Sequence, residues 1–289
     1  MTDPRQGGVA VLDFGSQYTQ LIARRVREQN VYAEVFPFNA PLEKVNAHQP
    51  RGYILSGGPA SVYEADAPQL PGWMLGREVP ILGICYGMQA LTRALGGVVA
   101  GSTAREYGPA EIQRTQDNPL LSGLPETMPV WMSHGDRIET PPPGFSGLAA
   151  SGNSPYAAMG NVERRLYGVQ FHPEVAHTPQ GSDLLHNFLF TICGCEAHWS
   201  PSTFIEDAVQ AIREQVGGER ILLALSGGVD SAVAGALIQQ AVGSQLTAVF
   251  VNTGMLRLNE PDEVVRVFRE QQGMSLRAVD ATETFLEAL

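Results

Sequence analysis

Cys85 stands in the run Gly83-Ile84-Cys85-Tyr86-Gly87, between a stretch that reads as a strand and one that reads as a helix. That is the layout of a nucleophile elbow, with cysteine in place of serine. The glycines suit a sharp turn against which neighbouring backbone packs closely. A helix N-terminus favours negative charge, and thiolate is the nucleophilic form of cysteine. Alone, the run fits a buried structural cysteine equally well. His172-Pro173-Glu174 tips the reading toward catalysis. Pro173 holds its own φ and keeps His172 out of a helix, so the segment is extended or turned. Side chains two apart in an extended segment point the same way, so Glu174 reaches His172 and fixes its tautomer. His172 then serves as base toward Cys85 and as acid toward the leaving group.

Supporting groups sit nearby in sequence. Gly57-Gly58-Pro59 follows a strand and could aim backbone N–H groups at a developing oxyanion, with the N–H of Tyr86 as second donor. An ordinary strand-ending turn has the same composition. Gln89 lies four residues after Cys85 on the same helical face, where it either bonds a substrate or caps a polar pocket. His134, in Trp131-Met132-Ser133-His134-Gly135-Asp136, is expected on a loop beside the site, with Asp136 and Arg137. His48, His177, His186 and His198 read as surface or packing residues. No Cys/His spacing resembles a zinc site, and Cys193-Gly194-Cys195 reads as structural.

A second cluster, Ser226-Gly227-Gly228-Val229-Asp230-Ser231, lies between a strand and a helix. Successive N–H groups in such a turn make an anion nest, two serine hydroxyls can donate to phosphate, and Asp230 can hold Mg²⁺. The Gly-Lys-Ser/Thr ending of a Walker A loop is absent, which argues against γ-phosphate transfer. A plain helix start with a Ser/Asp cap would look similar.

The elements that must position these residues alternate between β-rich runs and amphipathic helices, the pattern of an α/β fold. Strands are expected at Val9 to Asp13, Gly52 to Ser56, Pro80 to Ile84 and Leu166 to Gln170. Helices are expected at Gln17 to Gln29, about Gly87 to Leu95, and Ser182 to Ile192. Cys193 to Ser202 reads as a linker punctuated by Pro201. Beyond it come a helix (Thr203 to Val216), a buried strand (Ile221 to Leu225) and a helix (Asp230 to Ala241). A strand (Leu246 to Val251), a helix (Glu260 to Gln272) and a strand (Leu276 to Val279) complete the series. This predicts two units, 1–196 and 203–289. Three parallel strands leave unsatisfied edges, so the second unit is expected to be truncated at Leu289.

Bulk properties set outer bounds. The chain has 289 residues, 44% hydrophobic and 17% charged, enough to bury a sizeable core. A net charge of -11 offers no basic stripe for a nucleic-acid backbone. Three cysteines are a poor disulfide framework and fit a reducing cytoplasm. The first residues lack a signal-peptide plan, and no apolar run suits a membrane span. Neither nucleic acid nor membrane is therefore expected as a partner.

Gly-Ile-Cys-Tyr-Gly-Met-Gln at 83–89, Gly-Val-Gln-Phe-His-Pro-Glu at 168–174 and Ser-Gly-Gly-Pro at 56–59 closely resemble the class I glutamine amidotransferases, over residues from about 9 to 192. The resemblance implies an open mixed, largely parallel sheet flanked by helices. It also implies a γ-glutamyl thioester on Cys85, resolved by water with release of ammonia. The 226–231 loop resembles the ATP pyrophosphatases, which cleave ATP between its α- and β-phosphates. That resemblance implies a parallel α/β domain with ATP·Mg²⁺ as substrate complex, no tightly bound cofactor, and Val249 to Asn252 near the adenine. Many relatives carry Asp where this chain has Asn252. The fusion order resembles the GMP synthetase family, as do Leu12 to Arg25, Trp131 to Asp136 and Gly254 to Glu260. It implies glutamine, ATP and xanthosine monophosphate (XMP) as substrates, and a homodimer formed through a further C-terminal domain. Of the truncated chain it implies at most the glutaminase half and an incomplete ATP site. A stand-alone glutaminase, another amidotransferase subunit, or an inactive glutamine- or nucleotide-binding module are the alternatives.

Overall fold

A computed structural model describes residues 6–289, with the side chains of 102–105, 201 and 203 outside the description. The opening residues read above for a leader lie outside the described residues. The chain divides into two compact units, the first ending at Ser200 and the second running Pro201–Leu289. Among the described residues no helix is long and apolar enough to cross a membrane.

The first unit is built on a nine-stranded sheet. Its elements in chain order are β1 (Val9–Asp13), α1 (Thr19–Arg27), β2 (Ala33–Pro37), α2 (Leu42–Asn46), β3 (Gly52–Leu55), β4 (Ile81–Ile84) and α3 (Tyr86–Ala94). Then follow β5 (Val98–Arg114), β6 (Thr127–Thr140), β7 (Ser146–Ser151), β8 (Ala158–Asn161), β9 (Leu166–Val169) and α4 (Gly181–His186), which widens into a π-helical turn at Asn187–Ile192. Strand order is β2-β1-β3-β4-β9-β8-β7-β5-β6. The β2-to-β9 half is parallel and the β9-to-β6 half antiparallel. The inner parallel strands β1, β3, β4 and β9 are buried on both faces, hence their Val/Ile/Leu runs. Val9, Val11, Ile54 and Leu82 pack on one face with Ile22 and Val26 of α1 and Leu184 and Leu185 of α4. Ala10, Leu12, Tyr53 and Leu55 pack on the other with Met88 and Leu91 of α3.

In the second unit α5 (Pro201–Val216) precedes β10 (Ile221–Leu225), α6 (Val229–Val242), β11 (Leu246–Asn252), α7 (Glu260–Val265, continued as a π-helical turn to Gln271), β12 (Leu276–Asp280) and α8 (Thr282–Glu287). The three strands are parallel in the order β10-β11-β12.

The structure corrects four expectations. Residues 133–136 are not a loop but lie within β6. The supposed linker ends in helix, because Pro201 supplies a pre-set φ at the first helical position of α5. The strand Ile221–Leu225 is not buried throughout: Leu222 is 74% exposed, since the apolar cluster covers only the face carrying Leu223 and Leu225. Elements β2, α2 and β5 to β8 were not anticipated; β5 and β6 carry Gly101, Gly108, Pro109, Pro129 and Gly135, which blur the strand pattern.

Two glycines bring β4 and α3 together. A Cβ on Gly83 would stand 2.6 Å from the Met88 backbone nitrogen, and one on Gly87 would strike the Leu55 carbonyl. Gly83→Ala is therefore expected to destabilise the first unit by about 1–3 kcal/mol. Gly72→Ala, where a Cβ meets nothing within 4 Å, should stay within about 0.5 kcal/mol of the parent. Chemical denaturation of both variants checks the contrast.

Candidate active site

β4 ends at Ile84, and Cys85 turns the chain into α3 with φ 51° and ψ -108°. An L-residue pays about 1–3 kcal/mol for such a backbone, which persists only where surrounding structure fixes it. The fixing bonds are present: the Cys85 N–H donates to Val169 O at 2.8 Å, and the Gly87 N–H donates to Ser56 O at 3.0 Å. The turn lifts the thiol off the carboxyl end of the sheet, beside the β1 and β3 loops. There the order reverses, with β2 and β3 on opposite sides of β1, the position where open α/β sheets bind ligands.

His172 and Glu174 follow β9, the neighbour of β4. The His172 Nδ1–H donates to Glu174 Oε1 at 2.7 Å, with both side chains buried. Glu174 is anchored through its own carbonyl, which accepts from Arg25 Nε at 2.9 Å. Burial alone would depress the His172 pKa. Hydrogen bonds and charge from Cys85 and Glu174 outweigh burial and push it up to about 10. Tyr18 packs edge-on against the imidazole at 5.4 Å between centroids. Cys85, His172 and Glu174, widely separated in sequence, are thus brought together.

Two clefts flank the thiol. One, of about 390 Å³, is lined by Gly58, Tyr63, Cys85, Tyr86, Gln89 and residues 133–136. The other, of about 260 Å³, opens between Gly15, Ser16, Gln17 and Tyr18 on one side and Cys85 and His172 on the other. A somewhat larger cavity, about 440 Å³, lies by the starts of β4 and β9, among Arg77, Arg164 and Arg165, and holds no cysteine or histidine. Glycine is required where backbone meets this site. A Cβ on Gly57 would approach His172 Cε1 to 3.2 Å, and one on Gly58 would reach Phe14 O at 2.6 Å. Gln89 is 3% exposed and donates to Asp136 O at 3.1 Å, so it braces the cleft wall from within.

Sequence reading missed Gln170 and Glu106, and it placed His134 beside the site but on a loop. Gln170 Nε2 lies 3.8 Å from Cys85 Sγ, and Cys85 Sγ lies 3.5 Å from Ser133 O. The period-two extension that joins Glu174 to His172 also reaches Gln170, so that signal was available. His134 is 5% exposed and bonded to Glu106 at 3.1 Å. In β6 it holds an inward position in the alternation Met128, Val130, Met132, Ile138, and polar residues at inward positions mark a function or a network. Burial lowers the His134 pKa against the pull of Glu106. Of the remaining histidines, His48 pairs with Glu34, His177 with Trp131 and His186 with Phe190, and His198 is exposed. Cys193 and Cys195 are free, buried thiols.

In the second unit Gly227 takes φ 82° between β10 and α6, and Gly228 caps α6. The Ser226 and Ser231 hydroxyls bond each other at 3.0 Å, and Gly228 N–H donates to Ser226 Oγ at 3.3 Å. Val229 and Asp230 are exposed in the first turn of α6. Among the described residues no three His, Cys, Asp or Glu side chains gather as a metal site. Magnesium at Asp230 would therefore need phosphate oxygens and water as its other ligands, the usual way it accompanies nucleotides. Asn252 Oδ1 accepts from the Gly254 N–H at 3.0 Å, a neutral turn contact.

The His172 pKa carries a stability signature. The folded value, about 10, exceeds the ordinary 6.5, so the folded chain binds this proton more tightly than the unfolded one. The contribution is complete below about pH 6.5 and is lost as pH rises through about 10. The stability advantage of the parent over His172→Gln should be largest near pH 6 and shrink steadily toward pH 10, read by denaturant unfolding across that range.

Comparison with known proteins agrees with this geometry. Residues 202–286 match the NAD synthase family. The chain is 56% identical over its whole length to a glutamine-hydrolysing GMP synthase of Thermomicrobium roseum, covering 54% of that protein. It is 52% identical to one of Dehalococcoides mccartyi, with 97% of the chain and 53% of the relative covered. The chain thus spans about half the length of the curated relatives it matches. The crystal structure of a GMP synthase subunit from Thermoplasma acidophilum aligns with TM-score 0.59 and 28% identity, covering 65% of this chain and 94% of that one. Residues 10–192, which contain the cysteine elbow and the His-Pro-Glu segment, match the glutamine amidotransferase class-I family, and the chain belongs to that family.

Proposed function

We propose that the first unit hydrolyses glutamine to glutamate and ammonia through Cys85, His172 and Glu174. The observation that carries this reading is the buried 2.7 Å His172–Glu174 bond beside a left-handed cysteine elbow. Cys85 sulfur attacks the carboxamide carbon, and the oxyanion takes hydrogen bonds from the Gly58 and Tyr86 N–H groups, with Gly57 keeping the approach clear. His172 gives its proton to the departing nitrogen, so ammonia leaves and a γ-glutamyl thioester remains. His172 then removes a proton from water, water oxygen attacks the thioester, and glutamate leaves as the thiol is restored. Glu174 keeps the imidazole in the tautomer that serves both steps. Gln89 holds the cleft wall against which glutamine lies.

We further propose that the 226–231 loop binds the phosphates of ATP with Mg²⁺, Asp230 contributing one ligand. The whole protein would then be a glutamine-hydrolysing GMP synthase: XMP is adenylated, ammonia displaces AMP, and GMP and pyrophosphate result. The NAD synthase match over 202–286 and the names of the relatives support this reading. A cytoplasmic homodimer assembled through further chain belongs to the same proposal.

Glutamate release from glutamine should vanish in Cys85→Ala and fall by about 10²-fold or more in kcat in Glu174→Ala. Release that survives Cys85→Ala contradicts the assignment. The loop reading predicts saturable binding of inorganic pyrophosphate with magnesium. Gly227→Ala should weaken it, because the new Cβ meets Val264 at 2.9 Å on a positive-φ backbone. An unaltered isotherm in that variant contradicts it.

A further inference from the structure

Behind the 390 Å³ cleft lies a buried polar cluster that the reaction does not use. Glu106 of β5 and His134 of β6 are cross-strand partners, just past the register shift that follows Gly101. Glu106 is 8% exposed, accepts from Ser151 Oγ at 2.9 Å and Ser154 Oγ at 3.0 Å, and lies 3.1 Å from His134 Nε2. His134 Nδ1 lies 2.9 Å from Asp136 O. Both imidazole nitrogens thus face acceptor oxygens. Which of the two contacts carries the ring proton depends on the tautomer, and both tie His134 to neighbouring oxygens.

β6 is the terminal strand of the sheet, so beyond the bonds Trp131 makes to Thr178 and His172 its outer edge has no strand partner. Its segment 133–136 nevertheless forms the cleft wall: Ser133 O stands 3.5 Å from Cys85 Sγ, and Asp136 O contacts Gln89 and His134. Tyr63 donates to the Asp136 carboxylate at 2.8 Å. We infer that Glu106 and His134 are a positioning pair that sets this wall, and through it the capture of glutamine, while leaving the reactivity of the Cys85–His172 couple alone. The inference rests on the glutaminase reading of the first unit.

The test uses the full chain and two reagents that alkylate Cys85: iodoacetamide, which needs only a reactive thiol, and a glutamine-shaped diazoketone, which must also be captured. Glu106→Ala removes the partner of His134 Nε2 and of both serines. It should raise the half-saturating glutamine concentration about tenfold and slow diazoketone labelling by a similar factor. Labelling by iodoacetamide should stay within about twofold. Glu106→Gln should restore most of the loss, since its amide can donate to a neutral His134 and still accept from serine. Equal slowing with both reagents, or an unshifted half-saturation, overturns the inference. Should Glu106→Ala fail to fold, Ser154→Ala decides: a rise of about threefold supports the pair's role and a parental value overturns it. If the parent chain is not labelled at Cys85 by the diazoketone, the glutaminase reading falls and this inference with it. Labelling of the parent with unshifted variants removes this inference alone.

Discussion

The first unit depends on one strained residue. Cys85 is held in the left-handed region because β4 must stop and α3 must start within a single residue, with the sulfur aimed away from both. Nothing at Cys85 itself favours that conformation. It is imposed by Val169, which fixes the Cys85 N–H, and by two glycines that let helix and sheet approach closer than any side chain allows. Gly168 joins this set: a Cβ there would press to 2.5 Å from Met88, the α3 residue directly above the elbow. The strain is stored at the reacting atom and offset by the packing of α3 on the sheet.

Electrostatics complete what backbone geometry begins. Two ionisable side chains buried beside a thiol would be unfavourable if unpaired, and each is given a partner. His172 commits one nitrogen to Glu174 and has the other for Cys85. The pair hangs on the β9 end, while His172 N–H donates to Trp131 O, tying it to β6 as well. The parallel half of the sheet thus supplies nucleophile and base, and the antiparallel half supplies the wall. The second unit uses a milder form of the same idea, a positive-φ glycine at a strand-to-helix turn, with serines in place of a nucleophile.

How much was legible follows from the kind of signal each part emits. Doubly buried parallel strands announce themselves as apolar runs, so β1, β3, β4 and β9 could be read within a residue or two. The Cys85 elbow and the His172–Glu174 step were legible because their chemistry is local: a glycine-flanked turn and a period-two neighbour. Glu106 and His134 were not, since their partnership spans 28 residues and is set by strand register, which no local pattern encodes. Leu222 misled for the opposite reason. An apolar strand residue signals burial, yet whether both faces are covered depends on elements remote in sequence. The position of Gln89 allows a substrate contact or a cap on a polar pocket, and the structure commits its amide to the Asp136 carbonyl.

The most direct test of the central claim is to trap the covalent intermediate. The chain is mixed with glutamine, quenched in acid within milliseconds to seconds, and digested for mass spectrometry. A γ-glutamyl group on the peptide containing Cys85, absent from Cys85→Ala, is the predicted result. Glutamate formed at a measurable rate with that peptide unmodified at every quench time, together with undiminished release by Cys85→Ala, would contradict the account.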